Sequence, residues 1–177
     1  MPLLIPDECL PWIGLHRNMK TTTEYEQSLY RDFEGMKSAL PEGIESILDI
    51  GCGLAGIDIL LSKHYPHAEI YLLDADGPES NCRPGFWPTM RPYTSREVAN
   101  SLLKANGITK QVWHDIGTQD LKADLVISLL SLGFHYPLDA YRVTSKFMLA
   151  DLRKTQKGTI LMEHRKNKGW RCIWETA

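Results

Sequence analysis

The chain has 177 residues, 43% of them hydrophobic and 24% charged, with a formal net charge of −2. That length supports one globular domain with an ordinary core, and the composition excludes a collagen, a long coiled coil and a disordered tail. The cysteines, Cys9, Cys52, Cys82 and Cys172, are too scattered for a structural zinc site or a redox pair and read as free thiols of a reducing cytoplasm.

The apolar opening carries Pro2, Pro6, Asp7, Glu8 and Pro11 and has no basic leader, so neither an export signal nor a membrane anchor is expected. The small net charge conceals an imbalance. Residues 1–80 hold 14 acidic and 5 basic side chains, a formal −9, while residues 81–177 hold 8 and 15, a formal +7. A basic half keeps nucleic acid and acidic small molecules open as partners, although Lys and Arg on exposed faces are mostly solvated.

In chain order, the stretch to about Met19 is broken by proline and reads as irregular. Thr21, Thr22 and Thr23 offer caps for a helix carried by Tyr25, Leu29, Tyr30, Phe33 and Met36 and stopped at Pro41. Ser46 to Ile50 reads as a strand, followed by a glycine cluster and a helix carried by Ile57, Leu60, Leu61 and Tyr65. Glu69 to Leu73 is a second strand, and the proline-rich stretch 77–94 is a loop long enough to be functional. Ser95 starts a third helix that stops at Asn106-Gly107. Strands are expected at 111–113, 124–130 and 159–162, with a helix over 138–152. Strands alternating with helices specify an α/β domain with a mainly parallel sheet. With no repeat or linker the chain reads as one domain, divided into an N-terminal arm and helix (1–40), a core (44–163) and a short tail (164–177).

The informative stretch is Asp49-Ile50-Gly51-Cys52-Gly53-Leu54-Ala55-Gly56, between the first strand and the second helix. Glycines there permit a tight turn and close approach of a ligand, and the free amides of a helix start suit an anionic or polar group. The pattern alone also fits a purely structural strand-to-helix turn. Asp74, which closes the second strand, is placed where a carboxylate can accept hydrogen bonds from ribose hydroxyls. Asp49 occupies a position that is normally apolar in a dinucleotide fingerprint and suits a ligand with a positive charge near the turn.

At these residues the sequence resembles the class I S-adenosylmethionine-dependent methyltransferases. The resemblance runs from about Ser46 to Met162 and rests on ILDIGCGLAG, LLDADG, HDI and ADLVIS. It implies a doubly wound sheet of order 3-2-1-4-5 with helices on both faces and S-adenosyl-L-methionine over the carboxyl ends of strands 1 and 2. Carried over, Asp49, Gly51 and Gly53 hold the methionine part, with Cys52 and Gly56 in the same loop. Asp74, with Ala75 beside it, holds the ribose, and Asp115, with Ile116, the adenine. Ser131 completes the cofactor set, Asp76 is a rival for the place of Asp74, and no metal is implied. Two departures stand out. Ala55 replaces the usual third glycine, and the helix and antiparallel hairpin that normally follow strand 5 are reduced to at most one short strand at 171–174. Such a reduction predicts an edge at strand 5, open to the tail or to a second subunit in a homo-oligomer.

The segment after the fourth strand, Ser128 to Pro137, is where this fold seats the acceptor. It lacks the Asn/Asp-Pro-Pro-aromatic signature used on exocyclic amino groups of bases, which favours transfer to oxygen. His135 is the candidate general base, with a backbone-bonded loop histidine as an equally weighted alternative. The FHYP run with Tyr141 is similar to bacterial methyltransferases acting on sugar hydroxyls. Trp87, Arg91 and Tyr136 are the candidate substrate contacts, supported by Arg83, Phe86 and Tyr93, although Trp87 could equally plug the core edge. Trp12, His16 and Arg17 could close over the same pocket. The leading reading is O-methylation of a small, sugar-like acceptor. Arg165, Lys166, Lys168 and Arg171 support RNA as the alternative acceptor, and a non-catalytic cofactor-binding module is a third reading. An NAD-linked dehydrogenase would leave Asp49 and Asp115 unexplained.

Overall fold

A computed structural model of the chain describes residues 2–76, 94–118, 120–129, 131, 141–151 and 172–175. Its strands are β1 (Ser46–Ile50), β2 (Glu69–Leu73), β3 (Val112–His114), β4 (Asp120–Leu129), β5 (Arg142–Asp151) and β6 (Cys172–Glu175). They form one sheet in the order β3-β2-β1-β4-β5-β6, in which β6 is antiparallel to β5 and every other pairing is parallel. The expected 3-2-1-4-5 order is therefore present. β1 lies at its centre, where the chain leaves one half of the sheet for the other, the place where doubly wound sheets bind ligands.

The helices are α1 (Leu10–Arg17), α2 (Thr22–Met36), α3 (Gly56–His64) and α4 (Arg96–Ala105). Thr21 and Glu24 close a capping box at the start of α2: the Thr21 hydroxyl accepts from the Glu24 N–H at 3.1 Å, and the Glu24 carboxylate accepts from the Thr21 N–H at 3.2 Å. Ser95 caps α4 by accepting from the Val98 N–H at 3.3 Å.

Alternation along β1 sorts its side chains between two apolar clusters. Ile47 joins a cluster built with Ile13, Leu29, Met36, Leu61 and Leu102 from the four helices. Leu48 and Ile50 face the other side with Leu73, Val126, Tyr141 and Met148. By the same alternation Asp49 points to the helical side, a carboxyl in a place made for a hydrophobe. Among the described residues no helix is long and apolar enough to cross a membrane.

Three elements differ from the sequence reading. The proline-broken start contains a 3₁₀ turn at Asp7–Cys9 and then α1. Pro11 lies in the first turn, where a missing N–H costs no hydrogen bond, and Ile13 is fully buried. The helix expected over 138–152 is instead β5. Here exposed Arg142, Thr144 and Lys146 alternate with inward Val143, Ser145 and Phe147. Arg142 pairs with Asp120 at 2.6 Å and Lys146 with Asp124 at 2.9 Å across β4. The strand expected at 159–162 lies outside the described residues. Finally, β4 begins at Asp120, ahead of the expected 124, and β6 pairs with β5 over Phe147 to Leu149, so strand 5 is not the sheet edge.

Candidate cofactor site at the end of β1

The backbone after β1 turns back on itself. Gly51 has φ 76° and Gly53 φ 60°, the left-handed region that glycine enters without steric cost. The loop hangs from the end of β2: Gly51 N–H donates to the Leu73 carbonyl at 2.7 Å and Cys52 N–H to the same oxygen at 3.3 Å. Asp74, nearly buried, fixes it from the side, one carboxylate oxygen accepting from Gly53 N–H at 2.6 Å and the other from Ala75 N–H at 2.7 Å. Each carboxylate oxygen has two lone-pair positions, so Asp74 keeps acceptor capacity for hydroxyls. Ala55, at φ 56°, makes the left-handed turn where the third glycine was expected, and α3 starts at Gly56.

A pocket open to solvent lies in front of this loop. Its lining includes Asp49, Gly51, Cys52 and Gly56 from the motif, with Arg17 of α1 and Tyr25 of α2. Arg17 of α1 forms part of the wall of this pocket. Its guanidinium donates to Asp32 at 2.7 Å and to the Ser28 hydroxyl at 3.4 Å and lies 5.9 Å from the Tyr25 ring centre. Trp12 packs partly buried against the core, and the His16 side chain lies outside the described residues.

The electrostatics of the pocket are dominated by carboxyl groups. Asp49 is 2% exposed, and burial pushes its titration up to about 7. Interaction with Asp58 and with Arg17 opposes that rise, and the charge of Asp74 adds to it. Asp58, on the first turn of α3, is fully buried; burial and the neighbouring Asp49 raise it well above the carboxylate range. Burial, then Asp74, Asp49 and Asp58, also hold the Cys52 thiol well above its ordinary value. Burial alone would keep the thiol protonated, and the neighbouring carboxyls reinforce it.

Asp74, Ala75, Asp115, Ile116 and Ser131 are not among the residues that line this pocket. Asp115 follows β3, is exposed, and lies 3.8 Å from the Arg96 guanidinium. Arg96 also donates to the His114 carbonyl at 3.1 Å and stacks over Trp113. The Ile116 carbonyl accepts from the Tyr141 hydroxyl at 3.3 Å, and Ser131 is buried past the end of β4. Asp76, the rival of Asp74, instead accepts from the Arg96 N–H at 3.0 Å, at the start of α4. His135, Trp87, Arg91 and Tyr136 lie outside the described residues. Sequence reasoning missed Asp58 and assigned Tyr25 to the apolar face of a helix. For Asp58 the available signal was an acid two residues after the last motif glycine, within an otherwise apolar GIDILL run.

No protein-family model and no curated protein matches the chain by sequence. Solved structures do resemble it. The StiE O-MT structure of residues 961–1257 matches with a TM-score of 0.51 at 15% identity, covering 78% of this chain and 50% of that one. A second structure of that protein, residues 942–1257, matches at 0.50 and 15%, covering 84% and 52%. A coclaurine N-methyltransferase bound to N-methylheliamine and SAH matches at 0.49 and 13%, covering 85% and 45%. The chain thus spans about half the length of these matched chains. The likeness to StiE O-MT shows that the chain has a Rossmann-like fold.

Proposed function

We propose that this chain binds S-adenosyl-L-methionine at the end of β1 and transfers its methyl group to the hydroxyl of a small, sugar-like acceptor. The observation that carries the reading is the buried Asp49 carboxyl in the pocket wall, with Oδ1 accepting no hydrogen bond, beside a left-handed glycine turn. A buried carboxyl in a pocket wall is costly to ionise unless a cationic or donor group meets it. The ammonium of an amino-acid ligand meets that need. An NAD-type ligand, whose diphosphate would face Asp49, does not.

In this reading Asp49 and the Gly51–Gly53 turn receive the methionine end, Asp74 the ribose hydroxyls, and Asp115 with Ile116 the adenine edge. Cys52 and Gly56 line the pocket, and Ala75 and Ser131 are assigned to the same seat. The cofactor supplies an electrophilic methyl group on a sulfonium, so the protein's task is to position the acceptor and exclude water. An oxygen acceptor must lose its proton, and His135 is assigned that task; Trp87, Arg91 and Tyr136 are assigned to the acceptor.

Calorimetry with S-adenosylhomocysteine and with NAD, followed by transfer of labelled methyl to sugar and nucleotide-sugar acceptors, tests the proposal. Binding of the nucleoside but not of NAD is expected. His135→Ala should keep that binding and lower the transfer rate by about 10²-fold or more, the usual contribution of a general base. Tight NAD binding with no response to S-adenosylhomocysteine would sink the reading, and binding with no transfer to any acceptor would leave a binding module.

A further inference from the structure

Asp58 is used by none of the roles above, yet it is the most thoroughly buried acid among the described residues. Its residue is 0% exposed, and neither carboxyl oxygen accepts a hydrogen bond from a neighbouring N–H or O–H. A second acid placed against Asp49 in apolar surroundings would be expensive if both were charged. The groups facing the pair come from every adjoining element: Arg17 of α1, Tyr25 of α2, Cys52 of the loop and Asp74 of β2. Among these described groups Arg17 is the cation, and its guanidinium already pairs with Asp32 at 2.7 Å. Asp74 adds negative charge, and the Tyr25 phenol and Cys52 thiol are both held protonated by burial. One carboxyl of the pair must therefore carry a proton.

Which one carries it follows from their positions. Asp49 lines the pocket, whereas Asp58 does not. The two carboxyls interact directly, and that interaction lowers the titration of Asp49 and raises that of Asp58, as a proton held on Asp58 and shared with Asp49 would. We infer that Asp58 is a positioning residue that stays protonated and donates a hydrogen bond to Asp49, so that Asp49 can ionise to receive the cationic amino group of the ligand. The ligand's identity rests on the cofactor reading above; the arrangement of the proton does not. As the pH rises through 7, Asp49 ionises while Asp58 keeps its proton. Affinity for an amino-acid cation then strengthens, and below 7 binding releases a proton.

The test separates the two layers. In the ligand-free full chain, the Asp49 carboxyl carbon is titrated by carbon-13 NMR in the wild type, Asp58→Asn and Asp58→Leu, with Asp49→Asn assigning the signal. Wild-type Asp49 should titrate near 7. Asp58→Leu, which removes the donor, should raise the midpoint by about one unit and weaken S-adenosylhomocysteine binding at pH 7 roughly fivefold, as the ionised fraction of Asp49 falls from about one half to about one eleventh. Asp58→Asn, which keeps a neutral N–H donor, should restore both; Asp58→Ala replaces the leucine variant if that one fails to fold. An unchanged midpoint in the donorless variant overturns the inference, and so does a fall of the midpoint in Asp58→Asn, which would mean that Asp58 acts as a charge. If the midpoints move as expected while the wild type binds no S-adenosylhomocysteine between pH 6 and 8, the proton arrangement stands and the cofactor reading falls.

Discussion

Asp49 answers to two opposed demands, one from folding and one from binding. Folding raises its titration from the ordinary 3.8 to about 7, because burial penalises the charged form. The neutral form fits the fold, so the stability it contributes is complete below the ordinary carboxylate range and is lost as pH rises through 7. At about 1.36 kcal/mol per unit, the loss, complete above pH 7, is on the order of 4 kcal/mol. Asp49→Asn removes it. Urea denaturation should find the variant more stable than wild type at pH 8 by a large part of that figure and nearly equal to it at pH 4, while calorimetry finds S-adenosylhomocysteine binding abolished. An equal gap at both pH values would mean that the gain has another origin. A cation-binding site that costs stability when empty is the trade expected of a functional carboxyl. Ala55 shows a smaller version of the same tension. Its left-handed backbone costs a non-glycine residue roughly 1–2 kcal/mol, against about 0.8 kcal/mol for a buried methyl, and that methyl is fully buried.

At the scale of elements, the site depends on how closely α2 lies against the start of α3. A Cβ on Gly56 would come within 2.3 Å of the Tyr25 hydroxyl and 2.7 Å of Leu29 Cδ1, and both side chains are buried. Neither can swing aside freely in a packed core, so Gly56→Ala should destabilise the fold by about 1–3 kcal/mol and weaken ligand binding, since Tyr25 and Leu29 also line the pocket. Adding Tyr25→Phe removes the nearest atom. A double-mutant cycle should then show coupling of about 0.5 kcal/mol or more, and strict additivity would place the strain elsewhere. This seam also marks how far the sequence could be read. β1, the glycine turn, β2 with Asp74, and the capped helices α2 and α4 were legible because each is written in local residues: an apolar run, glycines at a turn, Thr21 with Glu24, Ser95. β5 was not. VTSKFMLA satisfies a helix nearly as well as a strand, and what decides it is non-local, the pairing of Arg142 and Lys146 with Asp120 and Asp124 on β4. Asp58 was illegible for the same reason, since its partner Asp49 belongs to a different element and is met only after folding.

Across the whole molecule, the two halves of the charge distribution acquire different meanings. The acidic half, formally −9, supplies Asp49 to the pocket wall with Asp58 and Asp74 acting on it, while the basic half, formally +7, contains the segments assigned to the acceptor. If that basic half gripped an RNA backbone, neutralising 6–10 phosphates would cost about 10³–10⁵ in affinity between 50 and 200 mM salt. A neutral hydroxylated acceptor releases no counterions and would feel almost none of this. The cofactor step should also resist salt, because Asp49 is buried and contacts there are screened far less than surface pairs separated by the roughly 10 Å Debye length at 0.1 M. Methyl transfer to the small-molecule acceptor is therefore expected to change less than about threefold in kcat/KM across that range, with S-adenosylhomocysteine affinity nearly constant. The measurement is a salt series of both quantities on one preparation. Constant nucleoside affinity with a steep loss of transfer would assign the basic half to a polyanion and replace the sugar-like acceptor with RNA.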